Sequence, residues 1–257
     1  MFNQSFYIHG VNPQMIDTIK SPTIASVPAR RGAPRKAGQR QASMNLLLDA
    51  ALRLFVSQGY RSTNLEQISG AAQLSKGAVY FYFRSKEAVL LELLKRVQHI
   101  VVDEALAAVE AASPSPKDRL VAYLHYQAGL GITHRDEVLL LILMSLEFKQ
   151  RDGEVKAFIQ TLYERQRAFM EQLMDDGQQS GDFRRDVPRR ELAAIVRSIN
   201  DGTFLEWFRR SDDLNGADLV RALRTTILNG VVNHSTPQAA APPARTRARP
   251  VPKARAR

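Results

Sequence analysis

The stretch SKGAVYFYFRSK, from Ser75 to Lys86, combines small side chains with lysine and tyrosine side chains. Gly77 and Ala78 would let a helix approach a nucleic-acid groove closely, because they carry almost no side chain. Lysine ammonium and tyrosine hydroxyl groups can donate hydrogen bonds to phosphate oxygens. The stretch therefore predicts DNA binding. The residues that we expect to contact DNA are Thr63, Ser75, Lys76, Gly77, Ala78, Tyr80, Tyr82 and Lys86.

Catalytic and metal-binding patterns are missing from the sequence. The five histidines are scattered, with none four residues from another, and there is no cysteine. No H-E-x-x-H, G-x-S-x-G or P-loop motif appears. We therefore expect no enzymatic activity, no metal site and no cofactor.

Two short helices joined by a tight turn would position the DNA-contacting residues. Thr63 and Glu66 have the spacing of a capping box at the start of the first helix. Gln73-Leu74 breaks the pattern, and Ser75 is placed to cap the second helix. Leu65, Ile68 and Ala72 are expected to form the apolar face of the first helix. In the second helix Val79, Phe81 and Phe83 can form the apolar underside, and which of the aromatic residues turn inward stays open. This arrangement predicts a helix-turn-helix over about residues 64–83.

The same stretch resembles the signature of the TetR (tetracycline-repressor-like) family of bacterial transcriptional regulators, and the resemblance covers roughly Ser43 to Arg96. The matching residues are Ser75, Gly77, Val79-Tyr80, Tyr82-Phe83 and Lys86-Glu87. One position departs from the family, which usually has glycine in the turn where this chain has Gln73. Glutamine adopts a positive φ only at some cost, so the turn is expected to be slightly strained.

Helical periodicity without strand-like alternation continues beyond residue 102, which predicts an all-α protein. The TetR resemblance implies an N-terminal helix-turn-helix DNA-binding domain followed by a C-terminal helical domain for ligand binding and dimerisation. The predicted division is a disordered basic arm (1–42), the DNA-binding domain (43–101), the helical domain (102–234) and a disordered Ala/Pro/Arg tail (235–257).

A ligand pocket and a homodimer interface are both expected in the C-terminal half. The candidate ligand-binding residues are Tyr123, Tyr126, Met144, Glu147, Phe148, Phe169, Asn200 and Trp207. Wide apolar surfaces on Leu192–Phe208 and Leu219–Val232 predict that these helices pair with a second copy. Charged replacements at Ile199 or Leu223 are then expected to break the dimer.

The net charge of +10 is concentrated in the two ends of the chain. Residues 1–40 carry +5 and residues 235–257 carry +6, which leaves −1 for the sequence between them. Such ends can lengthen contact with phosphate backbones. Within the arm, RGAPRK resembles a minor-groove AT-hook with Ala33 in place of the central arginine. This departure favours nonspecific phosphate contact over minor-groove reading as the role of the arm.

Two functions fit these observations. The first is a cytoplasmic homodimeric repressor that binds a double-stranded operator and is released by a small-molecule effector. The alternative is a helical DNA-coating or nucleoid-associated protein without small-molecule control. A closed, partly apolar cavity between the helices of residues 117–210 would favour the repressor, and a solid core would favour the alternative. No membrane association is expected, because no apolar run approaches about 18 residues.

Overall fold

The computed structural model describes residues 34–233, and within that range the chain forms ten α-helices and one short π-helical segment. The helices are α1 (Pro34–Ser57), α2 (Leu65–Ala71), α3 (Lys76–Tyr82), α4 (Lys86–Gln98), the π-helical segment (His99–Asp103), α5 (Glu104–Ala112), α6 (Pro116–Thr133), α7 (Arg135–Glu147), α8 (Glu154–Ser180), α9 (Arg189–Arg209) and α10 (Gly216–Val231). The predicted all-α fold is confirmed. Across the described residues, no helix combines the length and apolarity needed to cross a membrane.

Helix α1 starts earlier than the sequence predicts. It begins at Pro34, so residues 34–42, predicted as the end of a disordered arm, are helical. Proline is well suited to this position, because its φ is already helical and the first turn needs no N–H donor. The rest of the arm and the whole of the predicted tail lie outside the described residues.

A first hydrophobic core joins the N-terminal helices to α7 and the start of α8. Phe55, Ile68 and Val79 are fully buried on one side, and they share this core with Leu140 and Leu162 from the C-terminal half. Each fully buried aliphatic or aromatic side chain contributes about 1.5–3 kcal/mol. The predicted boundary at residue 101 therefore does not coincide with a gap in the packing.

A second core fills the space between α6, the end of α8, α9 and α10. Met170 and Leu173 of α8 are buried there, so this helix of 27 residues spans both cores. Leu223 also lies in this core and is only 8% exposed. The prediction that Leu223 lies in a dimer interface is therefore wrong, since a charge there would disrupt the protomer itself.

A π-helical segment interrupts the long helical run from Lys86 to Ala112. The segment covers His99–Asp103, and the Tyr126 hydroxyl of α6 donates to the Ile100 carbonyl at 3.2 Å and contacts Glu104 at 3.3 Å. Burial, followed by the nearby Glu104 carboxylate, raises the pKa of Tyr126 to about 12. The Tyr126 hydroxyl thus provides a hydrogen bond to a backbone carbonyl of the π-helical segment.

Candidate nucleic-acid interface

Helix α2 begins one residue later than the sequence predicts. Its N-cap is Asn64, whose side chain accepts from the Gln67 N–H at 2.9 Å, while the Gln67 side chain accepts from the Asn64 N–H at 2.8 Å. Thr63 is only 1% exposed, and its hydroxyl donates to the Gly59 carbonyl at 2.9 Å. The predicted box of Thr63 and Glu66 is therefore wrong, and Thr63 is too deeply buried to contact DNA.

The turn between α2 and α3 places Gln73 in the left-handed region, with φ of 57°. Two backbone hydrogen bonds hold it: Gln73 N–H to Gly70 at 3.0 Å and Leu74 N–H to Ser69 at 2.9 Å. This pair of bonds is a Schellman motif, which usually places glycine at the left-handed position. The sequence predicted a positive φ at a non-glycine residue, and the motif explains why the chain tolerates it.

Helix α3 presents a polar face to solvent. Ser75 caps it by accepting from the Ala78 N–H at 3.3 Å. Lys76, Gly77 and Tyr80 are exposed, while Ala78 is half-buried. The Lys76 ammonium pairs with the Glu66 carboxylate of α2, and this hydrogen bond raises the pKa of Lys76. The predicted outward positions are thus largely exposed, and their contact with DNA remains a prediction.

The aromatic residues of α3 divide between buried and exposed positions. Val79 and Phe83 are buried beneath the helix, but Phe81 is 66% exposed. Tyr82 is half-buried and packs against the first core. The structure thus decides the alternative that the sequence left open: Phe83 lies on the apolar underside and Phe81 does not. Alternating aromatic residues do not indicate which ring is buried, because residues two positions apart in a helix lie on different faces.

Lys86 is held by the protein's own backbone. Its ammonium group donates to the carbonyls of Tyr60 at 2.7 Å, Arg61 at 3.3 Å and Thr63 at 2.7 Å, and it lies 4.3 Å from the centre of the Tyr60 ring. An ammonium group has three donors, so these bonds use all of them. We therefore replace the expected phosphate contact of Lys86 with a structural role, which fixes the loop before α2 against the start of α4.

Two predicted ligand-binding residues connect the N-terminal helices to the end of α7. The Glu147 carboxylate accepts from the Arg61 guanidinium at 2.7 Å and also pairs with Arg151. The Phe148 ring packs edge-on against Tyr60, with centroids 5.1 Å apart. Assigning Glu147 and Phe148 to a ligand pocket is therefore wrong, since both form a junction with the loop that precedes α2.

An open cleft lies between α6, α7, α9 and the start of α10, with a cavity volume of about 80 Å³. Its walls are mainly apolar, and Asp201 is their one ionisable side chain. Burial raises the pKa of Asp201, and the Arg197 charge opposes that shift. The lining residues are Gln127, Ala128, Gly131, Ile132, Val138, Asn200, Asp201, Thr203, Phe204, Trp207, Gly216, Leu219, Val220 and Leu223.

Glycines make room for the two aromatic rings of this cleft. A Cβ at position 131 would lie 3.4 Å from the Phe204 ring, and one at position 216 would lie 3.2 Å from the Trp207 Nε1. Alternation of apolar and polar residues along α9 could not predict these approaches, because they depend on neighbouring helices. Phe204 was accordingly missed by the sequence interpretation.

Of the eight predicted ligand-binding residues, only Asn200 and Trp207 line the cleft. Tyr123 is buried in the second core, and burial raises the pKa of its hydroxyl. Met144 is buried in the first core, and Phe169 packs against the second. These two residues and Tyr123 fill space inside the protomer and do not form the cleft.

Comparison with known proteins places the described helices in a family. The family described as "Bacterial regulatory proteins, tetR family" matches residues 47–93. The crystal structure of the MbdR regulator from Azoarcus sp. CIB is 40% identical, with a TM-score of 0.68, covering 73% of this chain and 98% of that one. The fatty acid metabolism regulator protein of Bacillus subtilis (strain 168) is 22% identical over 196 residues, which cover 76% of this chain and 98% of that protein.

A third relative shares the fold at lower identity. The crystal structure of AibR in complex with isovaleryl coenzyme A and operator DNA is 20% identical, with a TM-score of 0.64, and covers 73% of this chain and 99% of that one. The family match falls on the helices that present the exposed face of α3, and the likeness to MbdR extends over nearly the whole of that protein. The chain therefore belongs to the tetR family of bacterial DNA-binding transcriptional regulators.

Proposed function

We propose that this protein is a homodimeric repressor that places α3 of each protomer in the major groove of an operator and leaves it when an effector binds. The observation that carries the proposal is the exposed face of α3. Lys76, Gly77 and Tyr80 stand on that face, and α3 is held by a capped turn and a buried Val79. A small helix with donors beside a glycine suits close approach to base edges and phosphates.

A second copy of the protein is needed for specific binding to an operator, because one short helix contacts only a few base pairs. The outer side of α9 carries Ile195, which is 50% exposed. Leu192 and Val196 of the same helix are buried in the second core. The exposed side of α9 around Ile195 is the proposed dimer interface. Two protomers would then reach half-sites about 34–36 Å apart, or at an adjusted spacing.

Replacing Ile195 with glutamate is expected to convert the dimer to a monomer without unfolding it. A charge at a half-exposed position costs little in the monomer but is unfavourable when buried between two copies. Sedimentation should show wild-type dimer and variant monomer at micromolar concentration, with affinity for the palindromic operator reduced at least about tenfold. Ala194→Glu, on the neighbouring exposed position, tests how far the interface extends. A wild-type monomer that binds one asymmetric site tightly would contradict the proposal.

Effector control is proposed for the cleft, because α7 connects it to the N-terminal helices. Val138 near the start of α7 lines the cleft, and Glu147 at its end accepts from Arg61. The neighbouring Glu137 lies 3.6 Å from Arg96 of α4, which also donates to Asp49 of α1 at 2.5 Å. A ligand that moves α7 would therefore move contacts at both ends. AibR, with the same fold, was crystallised with both isovaleryl coenzyme A and operator DNA.

A cavity of about 80 Å³ is small for a metabolite, since ligand sites usually enclose about 300–1,000 Å³. The cleft would have to widen on binding, which is what a coupled change in α7 supplies. An apolar effector with one or two hydrogen-bonding groups fits the lining. The cleft is open and extends onto α10, so it is not the closed cavity within residues 117–210 that was expected of a repressor. It also differs from the solid core that was expected of a DNA-coating protein.

Selection of DNA from a random-sequence pool tests the proposed function. We expect the full-length protein to recover a near-palindromic sequence and to release it on addition of an apolar effector with one or two hydrogen-bonding groups. The fluorescence of Trp207, the single tryptophan of the chain, should change at the same concentration. Recovery of no sequence preference would instead support a DNA-coating protein.

A further inference from the structure

Phe81 is the most exposed large apolar side chain among the described residues of the N-terminal helices, at 66%. Neighbouring aromatic residues already fill the core beneath α3, where Val79 is fully buried and Phe83 is 5% exposed. An exposed phenyl ring gains nothing from water, because apolar surface is stabilised only when it leaves water. The position of Phe81 therefore suits contact with something outside the protomer.

The ring of Phe81 packs against Tyr82. Their centroids lie 5.0 Å apart at an interplanar angle of 87°, an edge-to-face contact. Tyr82 is itself half-buried and packs against the first core. A ring that already packs against a neighbour has less conformational freedom to lose when it meets a partner, and such preorganisation favours specific contact.

Gly77 lies one helical turn before Phe81 on the same side of α3. Residues four apart on a helix are neighbours on its surface. A Cβ at Gly77 would have only the Ser75 hydroxyl, 3.9 Å away, within 4 Å. The surface of α3 is therefore open at Gly77, with room for a small group next to the position of Phe81.

We propose that Phe81 recognises the 5-methyl group of a thymine in the major groove and thereby helps to select the operator sequence. A phenyl ring cannot donate a conventional hydrogen bond, and the thymine methyl is the apolar group that the major groove presents. The open surface at Gly77 leaves room for a group of that size. This inference rests on the proposed DNA-binding function, because it requires α3 to enter the groove.

Replacement of thymine by deoxyuridine removes only the methyl group and tests the contact directly. Each thymine of the selected operator is replaced in turn, and the dissociation constant is measured at fixed salt for the full-length wild type and for Phe81→Ala. For the wild type we expect about fourfold weaker binding at one thymine in each half-site, the effect of losing one buried methyl. Phe81→Ala should bind the thymine and uracil forms of that position equally.

Two further variants separate this contact from other roles of the aromatic residues. Tyr80→Phe keeps the neighbouring ring and should retain the wild-type response to uracil. Phe81→Leu keeps an apolar side chain and should retain part of it. Thermal melts confirm that each variant is folded.

Three results would overturn the inference. Phe81→Ala could show the same uracil profile as the wild type, or it could weaken binding equally at all sequences, which would indicate contact with sugar or phosphate. It could also leave affinity unchanged, which would direct attention to a protein partner for the exposed ring. In each case a selected operator would still support the proposed function. Failure of the wild type to select any sequence would overturn both.

Discussion

Gly177→Ala is expected to lower the free energy of unfolding by about 3 kcal/mol, near the upper end of the usual cost of overpacking a core. A Cβ at this position of α8 would lie 2.0 Å from Cδ2 of Phe183. Phe183 is fully buried, and its N–H donates to the Gly177 carbonyl at 2.9 Å. The ring therefore cannot retreat without disturbing the second core and the turn that follows α8.

Urea denaturation of the full-length protein measures this effect. The matched control is Gly129→Ala in α6, where a Cβ meets nothing within 4 Å. That variant should be as stable as the wild type or more stable by up to about 1 kcal/mol, because alanine favours helix. Adding Phe183→Leu to Gly177→Ala should cost less than the two single changes together, since the smaller side chain relieves the clash. Equal stability of Gly177→Ala and the wild type would refute the packing described here.

Lys86→Met is expected to destabilise the N-terminal helices by about 2–4 kcal/mol and to weaken binding to every DNA sequence. The change keeps the apolar stem but removes a charged donor from three carbonyls, and hydrogen bonds to charged groups contribute about 1.5–3 kcal/mol each where water does not replace them. Lys86 is half-buried, so water would satisfy part of this loss. Thermal unfolding and hydrogen exchange of α2 and α3 amides measure the effect.

The salt dependence of DNA binding distinguishes this structural role from a phosphate contact. Lys86→Met should leave the slope of log affinity against log salt unchanged for the folded fraction, because its ammonium group is already occupied. Lys76→Gln is the matched control, since Lys76 stands exposed on α3 and should lower the slope by about one unit. A lower slope for Lys86→Met, without loss of stability, would restore the phosphate role predicted from sequence.

The helix-turn-helix could be predicted because its signals are local. Ser75 caps α3 by accepting a hydrogen bond from the Ala78 N–H, three residues along the chain. Gln73 adopts the positive φ that its place in the turn requires. These interactions join residues only a few positions apart, so periodicity and capping preferences determine them. The error at α2 was of the same local kind, since Thr63 and Asn64 are both capable caps and burial of Thr63 decided between them.

Long-range roles followed from tertiary packing alone. Lys86 meets carbonyls 23 to 26 residues away, and Glu147 meets Arg61 across 86 residues. A lysine beside a recognition helix and a glutamate beside aromatic residues look the same in sequence whether they face DNA, a ligand or the protein itself. Which group each of these side chains contacts depends on how the helices pack against one another in the two cores. By itself, the sequence determined the family, the all-α class and the exposure of Lys76, Gly77 and Tyr80 on α3, because short-range spacing specifies them. Tertiary structure decided which charged and aromatic side chains remain available for binding, because burial and distant carbonyls compete for the same groups.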